Sequence, residues 1–298
     1  METPVVQARG SERQSPIFTR IGIVGVGLIG GSIALAAREL WPSALVIGVD
    51  SKAVLETAVR RHAIDVAAED LAGLANADLV ILAAPVRQNL ALLGEMAAHL
   101  RGEVIVTDTG STKREILDAA RALPPRLTFV GGHPLAGAAV GGFAHARPDL
   151  FRKRPWILTP QPGSSTAAVE KLTAFVSALG SVPSSMTADE HDRLLAFVSH
   201  LPQLAASALM DVVGGAIGAD GLALAGRGLV DSTRLASSPA DIWRDIAASN
   251  ADQIGPALDA LIAALQSLRS DLHGGTRIAE VFAGAKRWRE QLTERSTL

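Results

Sequence analysis

The chain has 298 residues, 48% of them hydrophobic, with 28 Lys+Arg against 30 Asp+Glu and a formal net charge of −2. That length supports a large core and two domains, and the interspersed charges offer no basic stripe for nucleic acid. There is no cysteine, which excludes disulfides, thiolate metal ligands and cysteine nucleophiles.

Residues 1–16 are polar and lack an apolar central region, so they read as a disordered tail rather than a signal peptide. No uninterrupted apolar run reaches the roughly eighteen residues of a bilayer span. A cytoplasmic protein without a membrane partner is the expectation. Residues 21–26 then predict a strand, 28–40 a helix, 45–50 a strand and 52–61 a helix. Residues 78–84 read as a buried strand stopped by Pro85, followed by a helix over 88–100 and a strand over 103–107. A helix over 112–123 and a strand over 127–130 follow, and strands over 155–159 and 180–183 bracket a helix over 166–179 as additions to the sheet edge. Short apolar strands alternating with helices predict βαβ units and a Rossmann-type parallel sheet across residues 17–185.

Strand signals stop there. Residues 190–213, 242–250, 253–272 and 277–291 carry helical spacing, with small residues such as Ala205, Ala206 and Gly214 that let helices approach closely. The second domain, residues 186–298, is therefore predicted to be all-helical. Being short and rich in alanine and leucine, it is expected to bury apolar faces partly against a second copy in a homodimer; the alternative is a monomer whose helices pack on the first domain.

The most informative segment is Gly25-x-Gly27-x-x-Gly30, set between the first strand and the first helix, with Asp50 closing the next strand twenty residues after Gly30. A dinucleotide site needs this order. Gly25 permits the tight turn, Gly27 lets backbone approach a pyrophosphate, and Gly30 packs the helix close to the sheet. Leu28 and Ile29 begin the helix whose N-terminus faces the phosphates, Asp50 would take the ribose hydroxyls, and Pro85, which stops the strand over 78–84, is counted with them as a cofactor residue. NAD is the expected cofactor because a carboxylate repels a 2′-phosphate; Lys52 and Arg60 or Arg61 keep NADP as an alternative.

Four further polar clusters stand at the ends of predicted elements. Asp108-x-x-Ser111-x-Lys113 follows a strand, with Ser111 a hydrogen-bonding group and Lys113 a positive charge; taken alone, Ser111 or Thr109 reads more simply as a helix cap. His133, between glycines in a loop after the strand over 127–130, is the candidate general base. His191 and His200, nine residues apart, are not spaced as a metal pair; each is an anion binder or a helix cap. Arg234 suits a carboxylate or a surface ion pair, and Trp243 follows it. No metal ligand set is read from the chain.

Together, Gly25-x-Gly27-Leu28-Ile29-Gly30, Asp108-x-x-Ser111-x-Lys113, Gly132-His133-Pro134-x-Ala136-Gly137, His191-Asp192, Ser199-His200-Leu201-Pro202 and Arg234-x-Ala236 with Trp243 resemble the prephenate/arogenate dehydrogenase family. The resemblance implies NAD-dependent oxidative decarboxylation of prephenate in tyrosine biosynthesis, or of arogenate. It implies His133 as base to the substrate's 4-hydroxyl, with Ser111 orienting that hydroxyl, His133 or the nicotinamide. It implies His200 and Arg234 as carboxylate holders and Trp243 as a pocket wall. One departure is Ala139, where many members carry glutamate, which leaves the choice of side chain open. The sequence predicts no further regulatory or mutase domain, so any tyrosine inhibition would act at the active site. The rival readings are a β-hydroxyacid dehydrogenase and a non-catalytic NAD sensor that has no use for His133.

Overall fold

The computed structural model describes residues 15–137 and 141–296. Most of the predicted tail, residues 1–14, and Ala139 lie outside the described residues.

β1 (Arg20–Val24) passes through the glycine turn into α1 (Leu28–Leu40), then β2 (Leu45–Val49), α2 (Lys52–Arg60) and the short β3 (Val66–Ala68). β4 (Leu79–Leu82), α3 (Val86–His99), β5 (Val104–Asp108), α4 (Arg114–Ala120) and β6 (Leu127–Pro134) continue the alternation. β7 (Pro155–Pro160), α5 (Thr166–Ala178) and β8 (Val182–Ser185) complete one eight-stranded sheet of order β3-β2-β1-β4-β5-β6-β7-β8. β1 through β6 pair parallel, β6 and β7 antiparallel, and β7 and β8 parallel to each other. The chain winds outward from β1 to β3 and returns to lay β4 on the other side of β1. This reversal opens a crevice at the strands' carboxyl ends, where such sheets bind ligands.

Side chains alternate across the pleat. Leu79 and Ile81 join one apolar layer with Phe18, Ile33 and Trp41, while Val80 and Leu82 join the other with Met96 and Phe129. Burial on both faces explains why the central strands read as continuous apolar runs. β3 escaped the sequence reading: it is three residues long, and Val66 and Ala67 are exposed.

The helical part holds α6 (Ala188–Leu195), a π-helical turn (Ala196–His200), α7 (Leu201–Leu222), α8 (Arg227–Ser232), a 3₁₀ turn (Arg234–Ser237), α9 (Ala240–Ser249), α10 (Ala251–Ser270) and α11 (Thr276–Ser296). The helical run Ala188–Leu222 is long and apolar enough by composition to cross a bilayer. The expectation of no such span rested on uninterrupted apolar runs, whereas alanine and valine raise the mean hydropathy here despite scattered polar residues.

Candidate active site

The glycine loop has the shape a dinucleotide requires. Gly25 sits at φ +90°, and a Cβ there would lie 2.7 Å from the backbone of Ala83 and Ala84. At Gly30 a Cβ would meet the Gly25 carbonyl oxygen at 2.0 Å, so only glycine allows α1 this close to β1. Gly27 is different: a Cβ would meet nothing within 4 Å, leaving open space beside the start of α1. No side chain among the described residues caps that helix, so the first N–H groups, at Leu28 and Ile29, remain available to an anion. Asp50 Oδ2 accepts the Val26 N–H at 2.7 Å and Oδ1 accepts the Ser51 N–H at 2.6 Å, so this carboxylate also braces the loop. Beyond it opens a cleft of about 670 Å³ lined by Asp50, Lys52, Leu55, Arg60 and Glu69 among others. Pro85 is exposed where β4 gives way to α3. These features fit a dinucleotide.

Farther along the same sheet edge stand Ser111, after β5, and His133, in β6. The sequence placed His133 in an accessible loop. In the structure β6 runs on to Pro134, and pairing of Gly132 and His133 with Leu158 and Ile157 of β7 carries His133 inside the sheet, 8% exposed. The flanking glycine also has another reason: a Cβ on Gly132 would lie 2.6 Å from the Asp108 carbonyl oxygen.

His133 Nδ1 lies 2.8 Å from His191 Nε2, and His191 Nδ1 lies 2.7 Å from Asp192 Oδ1. Asp192 also accepts the backbone N–H groups of Lys113 and Arg114, at 2.8 and 3.0 Å, and Arg114 Nε at 3.2 Å. Burial works to raise its pKa, but hydrogen bonds from His191, Arg114 and Lys113 bring it below the usual carboxylate value. An ionised carboxylate only accepts. The proton of His191 therefore sits on Nδ1, leaving Nε2 to accept from His133 Nδ1–H, and His133 presents Nε2 as a bare lone pair. That nitrogen has no partner among the described residues. Burial pushes the pKa of His133 well below its ordinary value, and the nearby His191, Lys113 and His200 push the same way.

Lys113 was read as a positive charge for a ligand. It is instead fully buried, pairing with the Asp108 carboxylate and donating to the Gly132 carbonyl at 2.8 Å. Asp108 Oδ1 in turn accepts the Gly132 N–H at 3.0 Å. This pair ties the end of β5 to the backbone next to His133. Neither Ser111 nor Thr109 caps α4; the helix begins at Arg114, and Asp192 from α6 takes its first N–H groups. Ser111 is half-buried and makes no hydrogen bond to His133.

An α-helix turns about 100° per residue, so nine residues would place His191 and His200 on opposite faces. The wider π turn between them reduces that separation. Asn250 bonds the Asp192 carbonyl at 2.8 Å and His200 Nδ1 at 3.3 Å through its Nδ2. Nδ1 of His200 is thus an acceptor, and its Nε2–H is a buried donor without a partner among the described residues. Burial pushes the His200 pKa down to about 4, with Asp192 opposing and His191 reinforcing that shift. The half-buried Trp243 stands edge-on to it, ring centroids 6.0 Å apart. Arg234 is exposed on its 3₁₀ turn, and Gln203 Nε2 holds that turn through the Leu235 carbonyl at 2.7 Å.

Asp108, Asp192, Gln203 and Asn250 escaped the site reading. The Asp108-x-x-Ser111-x-Lys113 and His191-Asp192 pairs signalled the first two; nothing local marks Gln203 or Asn250.

Residues 33–183 match the family described as prephenate dehydrogenase, nucleotide-binding domain, and residues 187–282 match prephenate dehydrogenase, dimerization domain. A curated prephenate dehydrogenase of Bacillus subtilis is 35% identical over 278 residues, 91% of this chain and 75% of that protein. A cyclohexadienyl dehydrogenase of Zymomonas mobilis is 33% identical over 259 residues, 85% of this chain and 88% of its own length. The crystal structure of prephenate dehydrogenase from A. aeolicus with hydroxyphenyl propionate and NAD+ superposes with a TM-score of 0.85 at 28% identity, covering 92% of this chain and 98% of that one. With both halves matched in order across the fold, the chain belongs to the prephenate dehydrogenase family.

Proposed function

We propose that the chain catalyses the NAD-dependent oxidative decarboxylation of prephenate to 4-hydroxyphenylpyruvate. The observation that carries this reading is the bare Nε2 of His133, held by His191 and Asp192 at the sheet edge that also carries the glycine loop. Gly25, Gly27, Leu28, Ile29, Gly30, Asp50 and Pro85 would hold NAD, which supplies the acceptor for the hydride leaving C4 of the substrate. His133 Nε2 takes the 4-hydroxyl proton as C4 becomes a carbonyl carbon. Loss of CO2 from the ring carboxylate leaves its bonding electrons to aromatise the ring. His133 then returns the proton to the phenolate oxygen, so the reaction releases no net proton. Ser111 orients the hydroxyl. Arg234 supplies positive charge to a substrate carboxylate, His200 a neutral N–H donor, and Trp243, edge-on to His200, a wall of the pocket.

The protein works in this reading as a cytoplasmic homodimer. Leu209 and Val212 on α7, Leu265 on α10, and Phe282, Trp288 and Leu292 on α11 are all exposed, an apolar surface that suits a partner helix face. His191 and Asp192, on the same run as α7, serve the site, which favours this over a membrane span.

The test is formation of reduced nicotinamide by the purified protein on prephenate and on arogenate, each with NAD and NADP. Prephenate with NAD is expected to turn over fastest. Preference for arogenate would move the substrate assignment, and turnover of neither would leave a dinucleotide-binding protein.

A further inference from the structure

Two buried imidazoles in series set a problem that the functional reading alone does not answer. A proton accepted at His133 Nε2 makes an imidazolium inside the sheet, with no carboxylate hydrogen-bonded to it among the described residues. The carboxylate of this cluster touches the second ring: His191 Nδ1 lies 2.7 Å from Asp192 Oδ1. Around the two rings stand Asp192 on α6, Asp108 and Lys113 at the junction of β5 and α4, Arg114 on α4, and His200 on the π turn. Lys113 is neutralised by Asp108, and Arg114 is shared between Asp192 and Asp252. Burial lowers the pKa of both rings, but at His191 the Asp192 carboxylate opposes that shift, so of the two His191 tolerates positive charge better.

We propose that His191 is the positioning residue of the base: it holds His133 with Nε2 bare and takes up, through His133, the proton that leaves the substrate. The inference rests on the functional reading above for the source of that proton. The step balances without an outside reagent. The substrate O–H bond breaks and a His133 Nε2–H bond forms. The His133 Nδ1–H bond breaks and a His191 Nε2–H bond forms. His133 is left neutral in its other tautomer, and His191 is an imidazolium paired with Asp192. Every transfer reverses when the phenolate reclaims its proton. The relay is buried, with His191 and Asp192 both fully enclosed, so the proton is stored rather than released. Asp192 also accepts from the first N–H groups of α4. The base is therefore set only while the helical part is docked on the sheet domain.

The experiment uses the intact protein in two arms. In the first, ¹⁵N-histidine NMR reads the tautomers, with signals assigned by single substitution. His133 and His191 should both be protonated at Nδ1 and bare at Nε2, and His191→Phe should move the His133 proton to Nε2. A His133 tautomer indifferent to that substitution overturns the proposal. In the second, His191→Gln keeps an oxygen for His133 Nδ1–H and a donor for Asp192 but cannot hold a proton. Its kcat on prephenate should fall about tenfold to a hundredfold, the usual cost of losing a group that orients and tunes another, with KM and NAD affinity little changed. Wild-type kcat in His191→Gln overturns proton uptake by His191. The tautomer arm decides the positioning role whether or not prephenate is turned over, so failure of the proposal and failure of the functional reading are told apart.

Discussion

His133 has a base's geometry and a depressed pKa together, and both follow from its neighbours. Burial and three surrounding basic groups keep the ring neutral, while the chain through His191 to Asp192 fixes which nitrogen is bare. His133→Asn is expected to lower kcat by about 10²–10⁴-fold while leaving NAD affinity intact; steady-state kinetics beside a binding titration check this. Because burial lowers the pKa, the acid limb of kcat/KM should lie below the 6.5 of an ordinary histidine; a limb at or above that value would place another group in control. Asp50 accepts the Val26 N–H and so braces the glycine loop. Asp50→Asn keeps an oxygen for that bond and removes the charge, so the preference for NAD over NADP should narrow. An unchanged ratio of kcat/KM values would remove Asp50 from the ribose.

At the scale of elements, the site is made where regular structure is extended or broken. β6 continues past the apolar run that announced it because β7 pairs with its last residues. The π turn swings His200 toward Asn250 and the His191–Asp192 pair. At the first strand–helix junction the constraint is steric. Gly30→Ala would set a methyl 2.0 Å from the Gly25 carbonyl oxygen, pushing α1 off the sheet at a cost of about 1–3 kcal/mol. Both lower thermal stability and weaker NAD binding should follow, measured by thermal denaturation with and without the dinucleotide. Normal binding in a destabilised variant would show that the phosphate end of α1 tolerates the shift.

For the molecule as a whole, the buried histidines make folding sensitive to acid. His200 has a folded pKa of about 4 against 6.5 when free. Between those values the unfolded chain binds the extra proton, so stability is fully present above pH 6.5 and is lost as pH falls toward 4. His200 alone accounts for on the order of 3 kcal/mol across that window. Denaturant melts at pH 7 and pH 5 should show it, and His200→Asn should flatten the dependence. The exposed apolar faces of α7, α10 and α11 argue for a second copy. Trp288, 63% exposed, is a suitable probe: light scattering should give a dimer for the wild type and a shift toward monomer for Trp288→Glu. A wild-type monomer would leave those faces for another partner.

The dinucleotide half was legible in the chain because its constraints are local. A strand, a turn and a helix N-terminus lie within a dozen residues of one another, and steric rules for glycine act over that distance. The same holds for the alternation of strands and helices and for the change to helical spacing after residue 185. The catalytic cluster is built from long-range contacts: His133 and His191 are 58 residues apart, and Asn250 and Asp192 are again 58 apart. Motif resemblance marked His133, Ser111, Arg234 and Trp243 as belonging together, yet it could not say that His191 and Asp192 stand behind the base. Nor could it say that Lys113 is neutralised by Asp108, or that Gln203 holds the Arg234 turn. Hydrogen bonding between buried groups depends on where separate elements come to rest, and packing of the helical part against α4 decides that.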